Sequence, residues 1–271
     1  MNRKYVYPFV IVMVTVALYY ADDLFVNDHH LVSTASNVSQ PNSSEFDDTF
    51  LPGSTTGVLI NHNAFTLSYS EKDEQAEWVA YELSKNDLSN NNFKRPYFIE
   101  DDKVKTKSAH WRNYKNSGYD RGHLCAAGDR RRSLESYTET FLTSNISPQN
   151  PEFNSGIWNR LEQKVRYWAD KYNGVYIVTG GVLKGEMITI GKEKVSVPNE
   201  FYKIVVDVSN GKYKAIAFLI PNAPSEKSFY EYTVSIDEIE AKTGIDFFPN
   251  LPDSIENRLE ALVDLSAWGK K

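Results

Sequence analysis

Apolar and polar residues follow two spacings along the chain after residue 50, and together they predict a mixed domain of strands and helices. Alternation with a period of two over residues 58–70 predicts a strand, and similar stretches fill the second half of the chain between Gly and Asn turns. Helical spacing is plainest where five apolar residues precede Asn173-Gly174, a pair typical of a helix end. These five are Ile157, Trp158, Leu161, Val165 and Trp168.

The remaining elements follow from the same two spacings. Helices are predicted over residues 74–85, 135–141, 235–243 and 254–265, the third of them opening with the capping pattern Ser235-Ile236-Asp237-Glu238. Strands are predicted over residues 119–126, 175–179, 187–197, 201–208 and 213–219. Because strands and helices interleave irregularly, without a repeated βαβ unit, the predicted fold class is α+β rather than doubly wound α/β.

The first 26 residues differ from the rest of the chain. Arg3 and Lys4 precede an uncharged apolar run at residues 5–21, which predicts a signal peptide or an N-terminal membrane anchor over residues 1–26. The expected location is therefore periplasmic or extracellular, with the apolar run as the expected membrane contact. Residues 27–50 are rich in Ser, Asn, Asp and Thr and predict a flexible linker, which leaves residues 51–271 as the predicted folded domain.

Charge is distributed unevenly along the chain. The net charge of −6 and the isoelectric point near 5.5 argue against binding nucleic acid through attraction by the whole molecule. The basic segment, residues 103–132, instead carries nine basic residues against two acidic ones, a net charge of +7. An acidic body with one basic face suits an enzyme that must release a polyanion after each turnover. The predicted nucleic-acid contacts are Arg130, Arg131, Arg132, Lys105 and Lys107, and a solvated loop is the alternative interpretation.

Cys125 is the single cysteine, so the chain can form no intramolecular disulfide and no Cys/His zinc cluster. Because Cys125 lies two residues after His123, a catalytic nucleophile is one interpretation. A small apolar residue in a buried strand is the favoured interpretation.

The densest chemistry lies in Tyr119-Asp120-Arg121-Gly122-His123. An imidazole titrates near operating pH after small environmental shifts, so His123 is a candidate general base. Arg121 would point to the same face of a strand and place a cation beside it, while Gly122 would permit close approach of a substrate backbone. A structural histidine with satisfied hydrogen bonds is the alternative.

A second group of candidates follows within about forty residues. Mg²⁺ keeps several waters and needs few protein ligands, so the carbonyl of Asn154 at a helix entry is a candidate anchor. Glu162 and Arg166 share a helix face, where they could hold a metal-bound water and a phosphate, or form a surface ion pair. Asn145 could orient the attacking water or cap a turn.

Three segments carry a family resemblance: Asp120-Arg121-Gly122-His123, Ser144-Asn145-Ile146-Ser147-Pro148-Gln149 and Asn154-Ser155-Gly156-Ile157-Trp158-Asn159-Arg160-Leu161-Glu162. In this order and spacing they resemble the signature of the DNA/RNA non-specific endonucleases, ββα-metal nucleases that include secreted bacterial and mitochondrial enzymes. The resemblance covers about residues 51–265. It departs from the commonest bacterial pattern directly after His123, where residues 124–130 read Leu-Cys-Ala-Ala-Gly-Asp-Arg.

The resemblance implies a role for each matching residue. His123 matches the general base and Asn154 the metal-binding asparagine, while Glu162 matches the acid that holds metal-bound waters. Arg166 matches the helix arginine that contacts phosphate, Arg121 and Asn145 match the remaining active-site arginine and asparagine, and Asp120 matches the acid behind the metal ligand. The implied fold is a ββα-metal nuclease fold, with a central, mostly antiparallel sheet flanked by helices.

The expected function is therefore a Mg²⁺-dependent endonuclease, with Mn²⁺ as a substitute ion, that cuts DNA and RNA to 5′-phosphate ends. The alternative is a nucleic-acid-binding module on a nuclease fold that does not cut, because a fold by itself does not fix a function. A homodimer stays open, and the sequence identifies no inhibitor protein.

Overall fold

A computed structural model describes residues 48–209 and 211–269. The signal peptide or anchor predicted at residues 1–26 and the linker predicted up to residue 47 lie outside the described residues. Residues Asp48–Phe50, the last of the predicted linker, form a 3₁₀ turn. Phe50 is buried and stacks on Tyr176, with ring centroids 4.1 Å apart, so the folded body begins before residue 51.

One seven-stranded antiparallel sheet forms the centre of the described part of the chain. Its strands run in the order β1-β2-β3-β6-β9-β10-β11, while β4 pairs with β5 and β7 with β8 in two separate antiparallel pairs. The strands are β1 (Leu59–Asn61), β2 (Thr66–Ser70), β3 (Gln75–Ser84), β4 (Asp120–His123), β5 (Ile146–Gln149), β6 (Gly174–Gly181), β7 (Thr189–Ile190), β8 (Val195–Ser196), β9 (Glu200–Ser209), β10 (Lys212–Pro221) and β11 (Thr233–Val234).

Helices flank the sheet. They are α1 (Leu134–Glu139), α2 (Pro151–Phe153), α3 (Asn159–Tyr172), α4 (Ile236–Thr243) and α5 (Asp253–Ala261), and a π-helical turn, Asn154–Trp158, joins α2 to α3. Short 3₁₀ turns lie at Lys85–Asp87, Trp111–Tyr114, Ala127–Asp129, Thr143–Asn145, Phe229–Tyr232 and Ser266–Trp268. The ends of these helices follow their sequences: the Ser235 hydroxyl accepts a hydrogen bond from the backbone N–H of Glu238 as α4 begins, and Asn173 takes a left-handed conformation after α3.

Two hydrophobic cores lie on opposite faces of this sheet. Neighbouring residues of β9 alternate between them, because Val205 belongs to the first core and Ile204 to the second. The long helix α3 packs Leu161 and other apolar side chains into the first core. Helices α4 and α5 pack into the second core through residues such as Ile239.

The predicted α+β class with a central antiparallel sheet and flanking helices is confirmed, although several elements differ. The helix predicted over residues 74–85 is wrong: Gln75–Ser84 form strand β3, whose side chains are mostly buried because both faces of this central strand are covered. The strand predicted at 187–197 is the short pair β7 and β8, and α5 ends at residue 261 rather than 265. Every helix among residues 48–209 and 211–269 is too short or too polar to span a bilayer.

Candidate active site

The site is built on the β4–β5 pair and the helical segment that follows β5. Pairing sets Asp120 opposite Gln149 and His123 opposite Ile146. The chain then turns at Asn150, whose side chain accepts hydrogen bonds from the backbone N–H groups of residues 152 and 153, with a proline at the first helical position. The π-helical turn begins directly after α2 and so places residue 154 at the entry to α3. Such turns are frequent at functional sites.

His123 lies at the edge of an aromatic pocket. Its ring centroid is 5.0 Å from that of Phe141 and 5.5 Å from that of Phe98. Nε2 is buried and has no hydrogen-bond partner among the described residues, which leaves Nδ1 as the ring nitrogen available to a water. Burial, with a smaller contribution from the nearby Arg95 cation, lowers the pKa of His123 to about 3. The imidazole is therefore neutral at ordinary pH, as a proton acceptor must be.

Two arginines lie over the same aromatic side chains. The guanidinium carbon of Arg121 is 4.9 Å from the Phe98 ring centroid, and that of Arg95 is 5.7 Å from it and 5.6 Å from the Phe141 ring. Arg121 and His123 therefore both lie beside the ring of Phe98. Arg95 is missed by the sequence argument. Its signal is the basic and aromatic run Lys94-Arg95-Pro96-Tyr97, which ends six residues before the basic segment begins at residue 103.

The amide of Asn154 is oriented by Asp120. Its Nδ2 donates a hydrogen bond of 3.0 Å to Oδ2 of Asp120. No donor among the described residues contacts Oδ1 of Asn154, so its carbonyl oxygen is free to accept a cation. Asp120 thus joins β4 to the π-helical turn and lies three residues from His123 on the same strand. The structure thus joins the predicted metal ligand to the predicted supporting acid by a hydrogen bond, and it places the predicted base on the same strand as that acid.

Glu162 projects from the first turn of α3 into a partly buried environment. Burial is the largest cause that raises the pKa of this carboxyl to about 7, Asp129 raises it further, and Lys203 and Arg166 oppose the shift. Lys203 on β9 is missed by the sequence argument because its side chain is buried, with Nζ 4.8 Å from the Trp158 ring centroid. Burial lowers the pKa of Lys203, whereas Glu162 raises it. The carboxylate of Glu162 and the ammonium of Lys203 each offset part of the free energy that burial costs the other charge.

Arg166 does not form the ion pair with Glu162 that was weighed from their helical spacing. Its Nη1 donates instead to Oδ1 of Asp129 at 2.7 Å, and the Tyr81 hydroxyl donates to the other oxygen of that carboxylate at 2.9 Å. Asp129 is almost fully buried, so this bond fixes the guanidinium against the turn after β4. The sequence argument missed Asp129, an isolated acid inside the basic segment, as a positioning residue.

Asn145 has a structural role in this arrangement. Its side chain is fully buried; Oδ1 accepts from the Cys125 backbone N–H at 2.8 Å, and Nδ2 donates to the carbonyl oxygens of Cys125 and Thr140. These bonds fix the chain directly after His123, so Asn145 does not reach a substrate. Cys125 is fully buried, and burial raises the pKa of its thiol to about 12, as befits an apolar strand residue rather than a nucleophile.

One predicted nucleic-acid contact is wrong. Arg130 is buried: its Nε and Nη2 donate to the carbonyl oxygens of Ala64 and Glu82, and the guanidinium lies 4.8 Å from the Tyr81 ring centroid. Its donors therefore serve the fold. The other four, Arg131, Arg132, Lys105 and Lys107, are exposed.

A family model described as DNA/RNA non-specific endonuclease matches residues 42–254 of the chain, which include all of the residues above. The chain belongs to this family. It is 36% identical to the mitochondrial nuclease EXOG of Danio rerio over 73% of this chain and 62% of that protein, so it spans less than two thirds of that relative's length. It is 34% identical to a nuclease of Nostoc (76% and 78% covered) and 32% identical to human mitochondrial endonuclease G (74% and 72% covered).

A crystal structure of a complex between EndoG and EndoGI, which addresses EndoG inhibition, resembles this endonuclease fold. The TM-score is 0.73 with 27% identity, and the match covers 80% of this chain and 96% of that one. The predicted family, the ββα-metal nuclease fold and the predicted class of enzyme, a nucleic-acid hydrolase of a metal-dependent family, are thereby confirmed.

The predicted location of this family member is wrong. Export to the periplasm or the extracellular space, with or without a membrane anchor, was expected from residues 1–26. The relatives contradict it, since the similar proteins from Danio rerio and human are named as mitochondrial nucleases.

Proposed function

We propose that this endonuclease-family protein hydrolyses phosphodiester bonds in DNA and RNA, with His123 as general base and Mg²⁺ as the metal ion. The observation that supports this most directly is the Asp120–Asn154 hydrogen bond, which leaves an amide oxygen free beside a strand that also bears a neutral histidine. A protein that only bound nucleic acid would need cations for the phosphates, but neither a desolvated base nor an oriented carbonyl.

The residues present fit a hard divalent ion. Mg²⁺ takes oxygen ligands and retains several waters, so one amide oxygen with a nearby carboxylate is a sufficient protein contribution. Asn154 would be the direct ligand, and Glu162 would accept hydrogen bonds from the waters around the ion. When bound there, Mg²⁺ supplies positive charge for a non-bridging phosphate oxygen and for the leaving oxygen. Mn²⁺ satisfies the same oxygen ligands and is the expected substitute.

His123 supplies the proton acceptor. A water molecule donates its proton to Nδ1 while its oxygen attacks phosphorus, the bond from phosphorus to the 3′ oxygen breaks, and the released 3′ oxyanion takes a proton from solvent water. The products are a 5′-phosphate and a 3′-hydroxyl. Because the pKa of His123 is lowered to about 3, the ring is neutral before this step, with its one proton on Nε2 and with Nδ1 free, and it releases the proton that it gains to solvent afterwards.

Arg121 and Arg166 supply fixed positive charge for the phosphate. Arg121 is held over Phe98, and Arg166 is held by Asp129, so neither guanidinium must be ordered when the substrate arrives. Preorganised charge of this kind is worth more in a partly dry site than in water. Contacts to phosphates carry no sequence information, which agrees with cleavage of both DNA and RNA without sequence preference.

The full-length protein should degrade supercoiled plasmid and RNA in Mg²⁺ and leave both intact in EDTA. The His123→Ala variant should turn over about 10²–10⁴-fold more slowly, the usual contribution of a positioned base. His110→Ala is the matched control, because the side chain of His110 accepts a hydrogen bond from the backbone N–H of Arg112 and His110 is not one of the candidate site residues, so this variant should keep wild-type turnover.

Two results would contradict the proposal. An unchanged rate in the His123→Ala variant would show that His123 is not the general base. Folded wild-type protein that binds DNA tightly in EDTA and leaves it uncut in Mg²⁺ would identify the non-cutting nucleic-acid-binding module instead.

A further inference from the structure

Five carboxylates converge between helices α4 and α5, on the sheet face opposite α3. Helix α4 contributes two, the connecting loop one and α5 two. This acidic cluster consists of Asp237, Glu240, Asp246, Glu256 and Glu260. None of the five belongs to the active site described above, and their helices pack into the second hydrophobic core rather than the first.

The oxygen atoms of the acidic cluster are close enough to share one ion. One oxygen from each of Asp237, Glu240 and Glu260 lies within 4.8 Å of the others, and the same is true of Asp246, Glu256 and Glu260. Two oxygens on opposite sides of a calcium ion are separated by twice the Ca–O distance of about 2.3–2.6 Å. The observed spacing is therefore within the reach of a single Ca²⁺. Glu260 belongs to both groups and so occupies their centre.

The burial of Glu260 is a second and separate observation. Only 7% of this residue is exposed, and its Oε1 is buried without a hydrogen-bond partner among the described residues. A buried carboxylate oxygen without a partner is costly, because it gives up its hydration for nothing in return. Glu260 faces four other acids rather than a donor, which is the arrangement expected where a cation belongs.

No protein cation neutralises the acidic cluster in the described part of the chain. None of its carboxylates forms an ion pair there, and the one lysine of α4, Lys242, is paired with Glu200 on β9 at 2.6 Å. Among residues 48–209 and 211–269, the only hydrogen bond to a side chain of the cluster is donated by the backbone N–H of Phe247 to Glu240, at 2.9 Å. Four carboxylates thus retain all of their acceptor capacity.

We propose that the acidic cluster is a calcium-binding site that joins α4, the loop after it and α5. Carboxylates from three successive segments supply the many oxygen ligands that Ca²⁺ accepts in flexible geometry, whereas Mg²⁺ demands a smaller, near-octahedral shell. The bound ion would offset the mutual repulsion of the carboxylates and the burial of Glu260. Its effect is on the stability of the two helices against the sheet, because catalytic groups lie on other elements.

The test uses full-length protein carrying Asn154→Ala, which removes the direct ligand at the active site. Isothermal titration with CaCl₂ should show one ion per chain, with a Kd below about 1 mM and tighter than that for MgCl₂. Saturating Ca²⁺ should raise Tm by about 5 °C, since an ion that binds only the folded state stabilises it by mass action.

Substitutions in the same background assign the ion to the acidic cluster. Glu260→Gln keeps the shape of the side chain, and should weaken Ca²⁺ binding at least about tenfold and abolish the rise in Tm. Glu238→Gln is the matched control on the same helix, because its exposed carboxylate lies outside the cluster, and it should bind Ca²⁺ normally. Asp246→Asn in the exposed loop is the second probe if Glu260→Gln fails to fold by circular dichroism.

Three results would overturn the proposal. The first is the absence of a binding isotherm and of a rise in Tm. The second is Ca²⁺ binding that survives in Glu260→Gln, or in Asp246→Asn where that variant is used. The third, tighter binding of Mg²⁺ than of Ca²⁺, would refute the assignment to calcium.

Discussion

At the residue scale, the orientation of the Asn154 amide decides whether an oxygen or an NH₂ group faces a cation. Asp120 makes that choice by accepting from Nδ2. Removing a group that holds a metal ligand in this way often lowers the metal affinity by about 10–100-fold.

Asp120→Ala should therefore weaken Mg²⁺ or Mn²⁺ binding by about 10–100-fold, because the Asn154 amide can then rotate. Turnover at saturating metal should fall much less. Titration of activity against metal concentration, together with calorimetric binding of Mn²⁺, measures both. Asp102→Ala is the control, since Asp102 is exposed and paired with Lys107 at 3.6 Å. Unaltered metal affinity in Asp120→Ala would show that this hydrogen bond does not orient the ligand.

The pH dependence of activity should report Glu162 rather than His123. Burial raises the pKa of Glu162 to about 7, so without metal the carboxylate forms only as pH rises through that value. The lowered pKa of His123 leaves its ring neutral throughout the range from pH 5 to 9. At low Mg²⁺, kcat/KM should accordingly rise with pH through about 7.

Metal concentration separates this assignment from others. A bound cation favours the ionised carboxylate, so a higher Mg²⁺ concentration should move the rise in kcat/KM to lower pH. The residual activity of Glu162→Gln should show no such rise, because the amide does not titrate. A rise in kcat/KM whose midpoint changes neither with Mg²⁺ nor with this substitution would belong to another group.

At the scale of elements, the β4–β5 pair depends on the glycine between Arg121 and His123. A Cβ on Gly122 would lie 2.1 Å from Cδ of Gln149, which pairs with Asp120 from β5 and reaches diagonally across to Gly122. The glycine was expected to admit a substrate backbone, and the structure shows that it admits a buried side chain instead. Neither polar atom of the Gln149 side-chain amide has a hydrogen-bond partner among the described residues. The packing of neighbouring atoms, rather than hydrogen bonding, therefore restrains this side chain.

Gly122→Ala should destabilise the protein by about 1–3 kcal/mol, the usual cost of overpacking, and should lower activity by displacing His123. Urea unfolding and plasmid cleavage measure the two effects. Adding Gln149→Ala removes the clashing atoms and should recover part of both losses. Gly53→Ala is the control, because its added carbon would lie 3.4 Å from the nearest atom, the Asp246 carbonyl oxygen. Equal stability of Gly122→Ala and the parent would contradict the packing argument.

Prediction from the sequence succeeded where the signal was local and failed where it depended on neighbours. Helix α3 was predicted because one face alone is buried and its apolar residues recur at helical spacing. Strand β3 was predicted as a helix because Trp78, Val79 and Leu83 fit a helical stripe. Its neighbours β2 and β6 and the two cores cover both faces, so the alternation typical of a half-exposed strand is absent.

The candidate site shows the same division. His123, Asn154 and Glu162 lie in short motifs whose order along the chain identifies them. Arg95 and Lys203 come from a distant loop and a distant strand, so only the fold brings them to the site. Asp129 is an acidic residue within the basic segment, and nothing in the local sequence indicates its partner. Its hydrogen bond to Arg166 depends on how the turn after β4 packs against α3.

At the scale of the whole molecule, an acidic protein must hold a polyanion through a local patch of positive charge. Arg131 and Arg132 are exposed and follow the turn that contains Asp129, which itself fixes Arg166. Under the proposed function, they would extend the positive charge of the site along a nucleic-acid backbone. Arg130, the third of the run, contributes no contact because its guanidinium is buried.

The double substitution Arg131→Gln and Arg132→Gln should weaken DNA binding evenly across sequences. Each phosphate contact contributes about 0.9 to the slope of log K against log salt on duplex DNA, so losing two should reduce the slope by about 1.8. Fluorescence anisotropy between about 50 and 300 mM NaCl, a roughly sixfold range of salt concentration, measures the slope in the His123→Ala background with EDTA, where cleavage of the probe is suppressed.

Arg258→Gln with Lys212→Gln provides the control, because both residues are exposed cations outside the basic segment. That variant changes the net charge of the protein by the same amount. If net charge governed binding, the two double variants would lose affinity equally. If residues 131 and 132 contact phosphates directly, only their substitution should change the slope of log K against log salt. Equal slopes in the two double variants would contradict the proposed path of the nucleic-acid backbone.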